Sequence, residues 1–207
     1  MWYSGQQGAD ALFDILTGKV NPSGKLSVSI PTSAGCLPVY YNRIGVREDG
    51  VIQDDHSYNY QDVEKKVLFP FGYGLSYSKF EYNAISVKKQ KKNQFLVTVT
   101  VTNRSTVEGM ETVQLYIRGS GNTIRRRSLE LKGYQKLNFR PFETREAAFM
   151  LGFDELKIYS QKGIYEVEEA KVTIFVGSNP DLPLSAEIDT ESEIRQGLAV
   201  EKYADSH

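Results

Sequence analysis

The chain has one cysteine, Cys36, so no intrachain disulfide can staple it. A buried free thiol is the expected state. Histidine is almost as scarce, with only His56 and His207. Neither has ligand spacing or a nucleophile elbow around it, so a zinc centre or a Ser-His-Asp triad has no foundation. Neither sign of charge dominates: 25 Lys and Arg face 26 Asp and Glu, a net charge of −1. That balance argues against nucleic acid or an anionic membrane as partner. Two basic runs, "KKQKKN" at residues 88–93 and "RRR" at 125–127, lack aromatic interleaving and a matching fold. They are read as solvated turns. No apolar run approaches the ~20 residues of a membrane helix. The opening "MWYSGQQGAD" lacks the basic region and apolar core of a signal peptide, which leaves location open. "GYG" and "GKVNPSGK" do not sit between a strand and a helix as phosphate loops do, and no cofactor or metal is expected.

The chain does contain enough apolar residues, 40%, to bury a core. Its first part reads as one helix and one strand. Ser4 and Gln7 fit an S-x-x-Q capping box. Ala9, Leu12, Phe13 and Leu16 form one stripe at i, i+3, i+4 and i+7, and Gly18 suits the helix end. After an "NPSG" turn, "KLSVSIP" (25–31) predicts a strand with Leu26, Val28 and Ile30 inward. One strand has no partner, so this segment resembles the tail of an α/β layer. Its apolar stripe is expected to be exposed and its local opening nearly free. Residues 32–66 show little periodicity, which is uncommon for a connection inside a compact domain.

The stretch "VLFPFGYGLSYSKFEY" (67–82) packs six aromatics among Gly and Pro. It suits either an interdomain seam or a sugar-stacking surface, and packing is the favoured reading. Strand grammar follows. "QFLVTVTVTN" alternates Phe95, Val97, Val99 and Val101 against Leu96 and threonines. "TVQLYIR" and "YEVEEAKVTIFVGS" alternate likewise, and further strands are predicted near 81–88, 129–138, 145–151 and 184–189. Seven short strands divided by turns predict a mainly β fold, a fibronectin type III-like (immunoglobulin-like) β-sandwich preceded by the helix-strand remnant of an α/β sandwich domain. The expected boundaries are 1–31 for the helix and strand, 32–80 for the linker and aromatic segment, 81–197 for the sandwich and 198–207 for a tail.

Taken in order, "WYSGQQGADALFDILTGKVNPSGKLSVSIP", "LPVYYN", "VLFPFGYGLSYSKFEY", "VTVTVTNRSTVEGMETVQLYIR", "RRSLELKGYQKL" and "YEVEEAKVTIFVGSNP" resemble the C-terminal part of family 3 glycoside hydrolases. That resemblance covers nearly the whole chain. It implies a parent enzyme of barrel, α/β sandwich and fibronectin-like module that removes β-linked glucose, xylose or related sugars with retention. Such chemistry needs two carboxyl groups ~5 Å apart. The family's nucleophile lies in the barrel and its acid/base usually upstream in the second domain, so the resemblance transfers no catalytic residue to this chain. The implied partners are the upstream catalytic domains and a β-linked glycoside substrate.

The chain's own candidates are few. Glu48, Asp49, Asp54 and Asp55 lie in a polar loop with no apolar setting to raise one pKa. Trp2, Tyr3, His56 and Tyr58 are the residues best placed to approach a substrate pocket. Phe69, Phe71, Tyr73, Tyr77 and Phe80 are assigned to interdomain packing, with Gly72 and Gly74 allowing tight turns. Asn103 heads an N-R-S sequon that matters only after secretory export. Two rivals remain: a carbohydrate-binding module without a catalytic parent, and an adhesion-type sandwich.

Overall fold

The computed structural model describes residues 4–42, 67–120, 123–178 and 182–194. The N-terminal helix α1 spans Gly8–Leu16. It starts later than the capping-box reading predicts. Gly5 adopts φ +67°, and a turn closes from the Gly8 N–H to the Gly5 carbonyl, so Gln7 rather than Ser4 precedes the first helical turn, without a side-chain cap. The C-terminus follows expectation: Gly18, at φ +76°, donates its N–H to the Ile15 carbonyl at 3.0 Å. The apolar stripe also forms as predicted and lies exposed, with Leu12 at 43%, Phe13 at 65% and Leu16 at 71%.

The strand predicted over 25–31 shrinks to Ile30–Pro31 (β1), paired antiparallel with Val67–Phe69 (β2). The rest stays extended without a ladder on both sides. Leu26 exchanges single backbone bonds with Gly72 and Tyr73, and Ser29 Oγ accepts from the Phe71 N–H. Val28, read as inward, is 46% exposed. Alternation marks a chain able to be a strand, but the neighbour that would complete the pairing is not among the described residues. Between β1 and Asn42, a short 3₁₀ turn at Ala34–Cys36 buries the Cys36 thiol.

All seven predicted sandwich strands form: β3 (Phe80–Lys91), β4 (Gln94–Asn103), β5 (Gly109–Ser120), β6 (Glu130–Phe139), β7 (Thr144–Leu151), β10 (Ala170–Gly177) and β11 (Leu184–Thr190). A four-stranded sheet runs β11-β10-β5-β6, and a three-stranded sheet runs β3-β4-β7. Every pairing in them is antiparallel. Period-two alternation turns Val97, Val99 and Val101 of β4 toward Val113, Leu115 and Ile117 of β5 and Val172, Ile174 and Val176 of β10, all at 1% exposure or less. Phe139 and Leu151 close the layer between the sheets. Each such burial contributes ~1.5–3 kcal/mol. A short helix α2 (Phe153–Leu156) and a small sheet of β8 (Ile158–Tyr159), β9 (Tyr165–Val167) and β12 (Glu193–Ile194) cover one end.

Both basic runs prove to be more than solvated turns. The β3–β4 hairpin turns at Lys92–Asn93, and the lysines are exposed, but Asn93 is buried at φ +47°. Its amide donates to the Glu191 carbonyl and to Glu193 Oε2, and its oxygen accepts from the Glu191 N–H. It clamps the chain that follows β11. Arg126, 5% exposed, pairs with Glu130 at 3.0 Å. Asn103 of the sequon is fully buried, and its amide donates to the Val107 and Arg140 carbonyls. In the folded protein it is closed to glycosylation.

Candidate functional site

The residues that matter most for placing the N-terminal segment lie along β5 and at positions 76–78 and 108, which lead into the sandwich. Asn21, in the turn after α1, uses all four of its hydrogen-bonding positions. Its Nδ2 donates to Ser78 Oγ at 2.8 Å and to the Glu108 carbonyl at 2.9 Å. Its Oδ1 accepts from Ser76 Oγ and the Tyr77 N–H, each at 2.9 Å. One side chain thus ties the helix-strand segment, the linker and the loop before β5. Two glycines permit this approach. A Cβ at Gly74 would sit 2.2 Å from the Gly24 carbonyl oxygen, and one at Gly109 would sit 2.6 Å from Ser78 Oγ.

Four residues further on, Lys25 Nζ reaches Glu111 at 3.3 Å, with side-chain exposures of 12% and 2%. Glu111 shares the core-facing parity of Val113 and Leu115, at the end of the sandwich. Tyr82 of β3 donates its hydroxyl to Glu111 Oε1 at 3.0 Å. Burial, then the charge of Glu111 and the hydrogen bond to it, push the Tyr82 phenol far above its ordinary range. The hydroxyl therefore remains a donor to Glu111. On the opposite face of β5, Thr112 Oγ1 donates to the Ser23 carbonyl and Gln114 Nε2 to the Gly72 carbonyl. Tyr116 donates to Gln114 Oε1, and burial followed by the neighbouring Tyr41 raises its phenol as well.

The aromatic segment sits over this polar seam. Phe71 stacks on Tyr41 at 4.0 Å between centroids and 11° between planes, and Tyr41 meets Tyr116 edge-on at 6.3 Å. Phe80 packs on core Phe139 at 5.3 Å. Phe69 tilts against Tyr73 at 5.0 Å but is 39% exposed. Tyr77 is 49% exposed and reaches back through its hydroxyl to the Ile15 carbonyl at 2.6 Å. A groove of about 380 Å³ opens beside Phe71, walled by Ser27–Ser29 and the Leu37–Asn42 stretch.

Trp2, Tyr3, His56 and Tyr58 lie outside the described residues, as do Glu48, Asp49, Asp54, Asp55 and His207. Among the described residues no group of three or more His, Cys, Asp or Glu side chains could hold a metal ion. Sequence reading passes over Asn21, Lys25 and Glu111. Asn21 looks like an ordinary turn residue. The one available signal for Glu111 is a carboxylate at the inward parity of a strand.

The geometry joins a fibronectin-type sandwich to a helix-strand segment through a polar seam. A sequence profile for the glycosyl hydrolase family 3 C-terminal domain matches residues 1–77, and one for the fibronectin type III-like domain matches residues 111–179. A periplasmic β-glucosidase of Salmonella typhimurium is 33% identical over 181 residues, 85% of this chain and 24% of the relative. A β-xylosidase of Formosa agariphila is 38% identical over 181 residues, 86% of this chain and 24% of the relative. A crystal structure of a Listeria innocua β-glucosidase in complex with glucose superposes at a TM-score of 0.82 with 30% identity, over 94% of this chain and 28% of that one. The chain belongs to the family 3 glycoside hydrolases, as their C-terminal domain followed by the fibronectin type III-like domain. It spans about a quarter of the length of the relatives it matches, at their C-terminal end.

Proposed function

We propose that this chain is the structural, non-catalytic quarter of a retaining, exo-acting β-glycosidase that breaks O-glycosidic bonds in carbohydrate breakdown. Both catalytic carboxyl groups then reside in the upstream barrel and α/β domains. Residues 1–31 supply the last helix and strand of that α/β domain, 32–80 form the connecting and aromatic segment, and 81–197 form the buttressing sandwich, with 198–207 as a tail. Phe69, Phe71, Tyr73, Tyr77 and Phe80 line the seam, while Trp2, Tyr3, His56 and Tyr58 approach the substrate side.

One observation carries this reading. A self-sufficient sandwich core adjoins a helix whose apolar stripe, Leu12, Phe13 and Leu16, has no cover among the described residues. Together these exposed residues leave several kcal/mol of burial unrealised. Upstream helices and strands of the same polypeptide are the natural cover. The substrate of the parent is a β-linked glucoside or xyloside, by analogy with the β-glucosidase and β-xylosidase relatives. The test is to express the continuous reading frame that contains this chain and assay nitrophenyl β-glucoside and β-xyloside. Turnover with retained anomeric configuration is expected. A frame without a barrel, in a protein that binds polysaccharide and hydrolyses nothing, would overturn the proposal.

A further inference from the structure

The contacts from the N-terminal segment to the sandwich are strung along one strand and the residue before it. Asn21 meets the residue before β5 at Glu108, Lys25 meets Glu111, Ser23 meets Thr112, and Tyr41 meets Tyr116. Two of these contacts tolerate sliding: the Glu108 carbonyl lies at an exposed contact and the Thr112 hydroxyl at a part-buried one, and either group finds water on losing its partner. The Tyr41–Tyr116 edge contact survives small shifts, because aromatic pairs are broad in geometry. Glu111 differs. It is 2% exposed, fixed on a central strand, and, among the described residues of the sandwich, bonded through its side chain to the hydroxyl of Tyr82. Lys25 approaches from the other segment and is itself only 12% exposed. If the segment slides by one residue along β5, two charges are stranded in a dry site.

We infer that the Lys25–Glu111 pair, with Tyr82 as its fixed third member, is an orientation latch: it selects one docking position of the helix-strand segment on the sandwich. Its role is selectivity rather than net stability. A buried ion pair replaced by apolar residues of similar size is often neutral or better for stability, whereas removing one partner is costly. The latch acts by making every other register unfavourable. The latch belongs to the chain's own geometry and is independent of the activity of any longer protein.

The test separates orientation from stability. Spin labels are placed on exposed Asp10→Cys of α1 and Lys136→Cys of β6, in a Cys36→Ser background, and their distance distribution is measured alongside thermal melting. The parent background should give one narrow distance. Lys25→Met should lower the midpoint by roughly 5–15 °C, because it leaves the Glu111 charge without its cation. Lys25→Met with Glu111→Leu should recover part of that loss, the orphaned Tyr82 hydroxyl holding back the rest, while the distances become broad or multiple. Glu111→Gln keeps an acceptor for Tyr82 but leaves the Lys25 cation without its anion, so it should also broaden the distances, with a smaller loss of midpoint than Lys25→Met because Lys25, at 12% exposure, can turn toward water. This variant keeps the test open should Lys25→Met fail to fold. A narrow, parent-like distribution in the double variant or in Glu111→Gln would overturn the latch. So would a double variant that melts as low as Lys25→Met, since the pair would then be a stabilising contact.

Discussion

Truncating Asn21 to Ala removes four hydrogen bonds that join three segments of the chain. Two of the orphaned groups, the Glu108 carbonyl and the Tyr77 N–H, lie at exposed contacts where water can replace the amide, at a cost of about 0–0.5 kcal/mol each. The other two, the Ser76 and Ser78 hydroxyls, are part-buried, and each lost bond costs about 1 kcal/mol. The sum is about 2 kcal/mol, which for a chain of this size lowers the melting midpoint by roughly 4–8 °C. Asn21→Asp should be no milder. It keeps the acceptor for Ser76 and Tyr77, but sets a second oxygen against the Glu108 carbonyl where a donor stood. Calorimetry gives the midpoint, and amide exchange across residues 19–26 shows whether the segment has come loose. An Asn21→Ala protein that melts within ~1 °C of the parent, with unchanged exchange in that segment, would refute the claim that Asn21 organises the seam.

Gly74→Ala forces a Cβ to within 2.2 Å of the Gly24 carbonyl oxygen, so the two backbones must part, at a cost of ~1–3 kcal/mol read by calorimetry. Phe71→Ala removes a half-buried ring stacked on Tyr41 and should cost about 2 kcal/mol, less than the ~3–5 for a fully buried ring, whereas Tyr77→Phe removes one exposed hydrogen bond that water can replace and should cost no more than ~0.5 kcal/mol. Within a full-length glycosidase both should leave the Michaelis constant for substrate unchanged; weakened substrate binding at parent-like melting would instead mark a sugar platform. Glu130 lies between Arg126 and Lys132, each 3.0 Å away. Burial pulls its carboxyl upward, but Arg126, then Lys132, and hydrogen bonds from both more than offset this, so it lies below its ordinary 4.5. A depressed folded-state value contributes stability that is present above 4.5 and lost as pH falls through the lower value. The gap in midpoint between the parent and Glu130→Gln should be widest above pH 4.5 and close below it; a gap independent of pH would contradict this assignment.

The sandwich was legible because its signal is local. Strict alternation in "QFLVTVTVTN" needs no knowledge of partners to place Phe95, Val97, Val99 and Val101 on one face, and all four are buried. The stripe of α1 was legible for the same reason, though its first turn was not, since the left-handed backbone at Gly5 leaves no mark beyond a glycine. Over 25–31 the alternation predicts more strand than forms: it states a capacity, while pairing depends on a neighbour. Short elements such as α2, β8, β9 and β12 fall below the length at which any period can be seen. The seam was least legible. Asn21 meets Ser78 across 57 positions and Lys25 meets Glu111 across 86, and neither pair leaves a local pattern. Aromatic density marks 67–82, whereas the links between segment and sandwich are mainly polar. Asn93 shows the same effect, a turn residue by its neighbours and a clamp by its distant partners.

Turnover by the 207-residue chain alone tests the central claim most directly. Nitrophenyl β-glucoside and β-xyloside are offered to the purified chain, with Asp54→Asn and Asp55→Asn variants as controls. If this chain is the structural quarter of a longer glycosidase, it lacks both members of the carboxylate pair that retaining hydrolysis requires, and release of nitrophenol should equal the buffer blank. Release above the blank that either variant abolishes would place catalytic carboxylates within this chain and contradict the account.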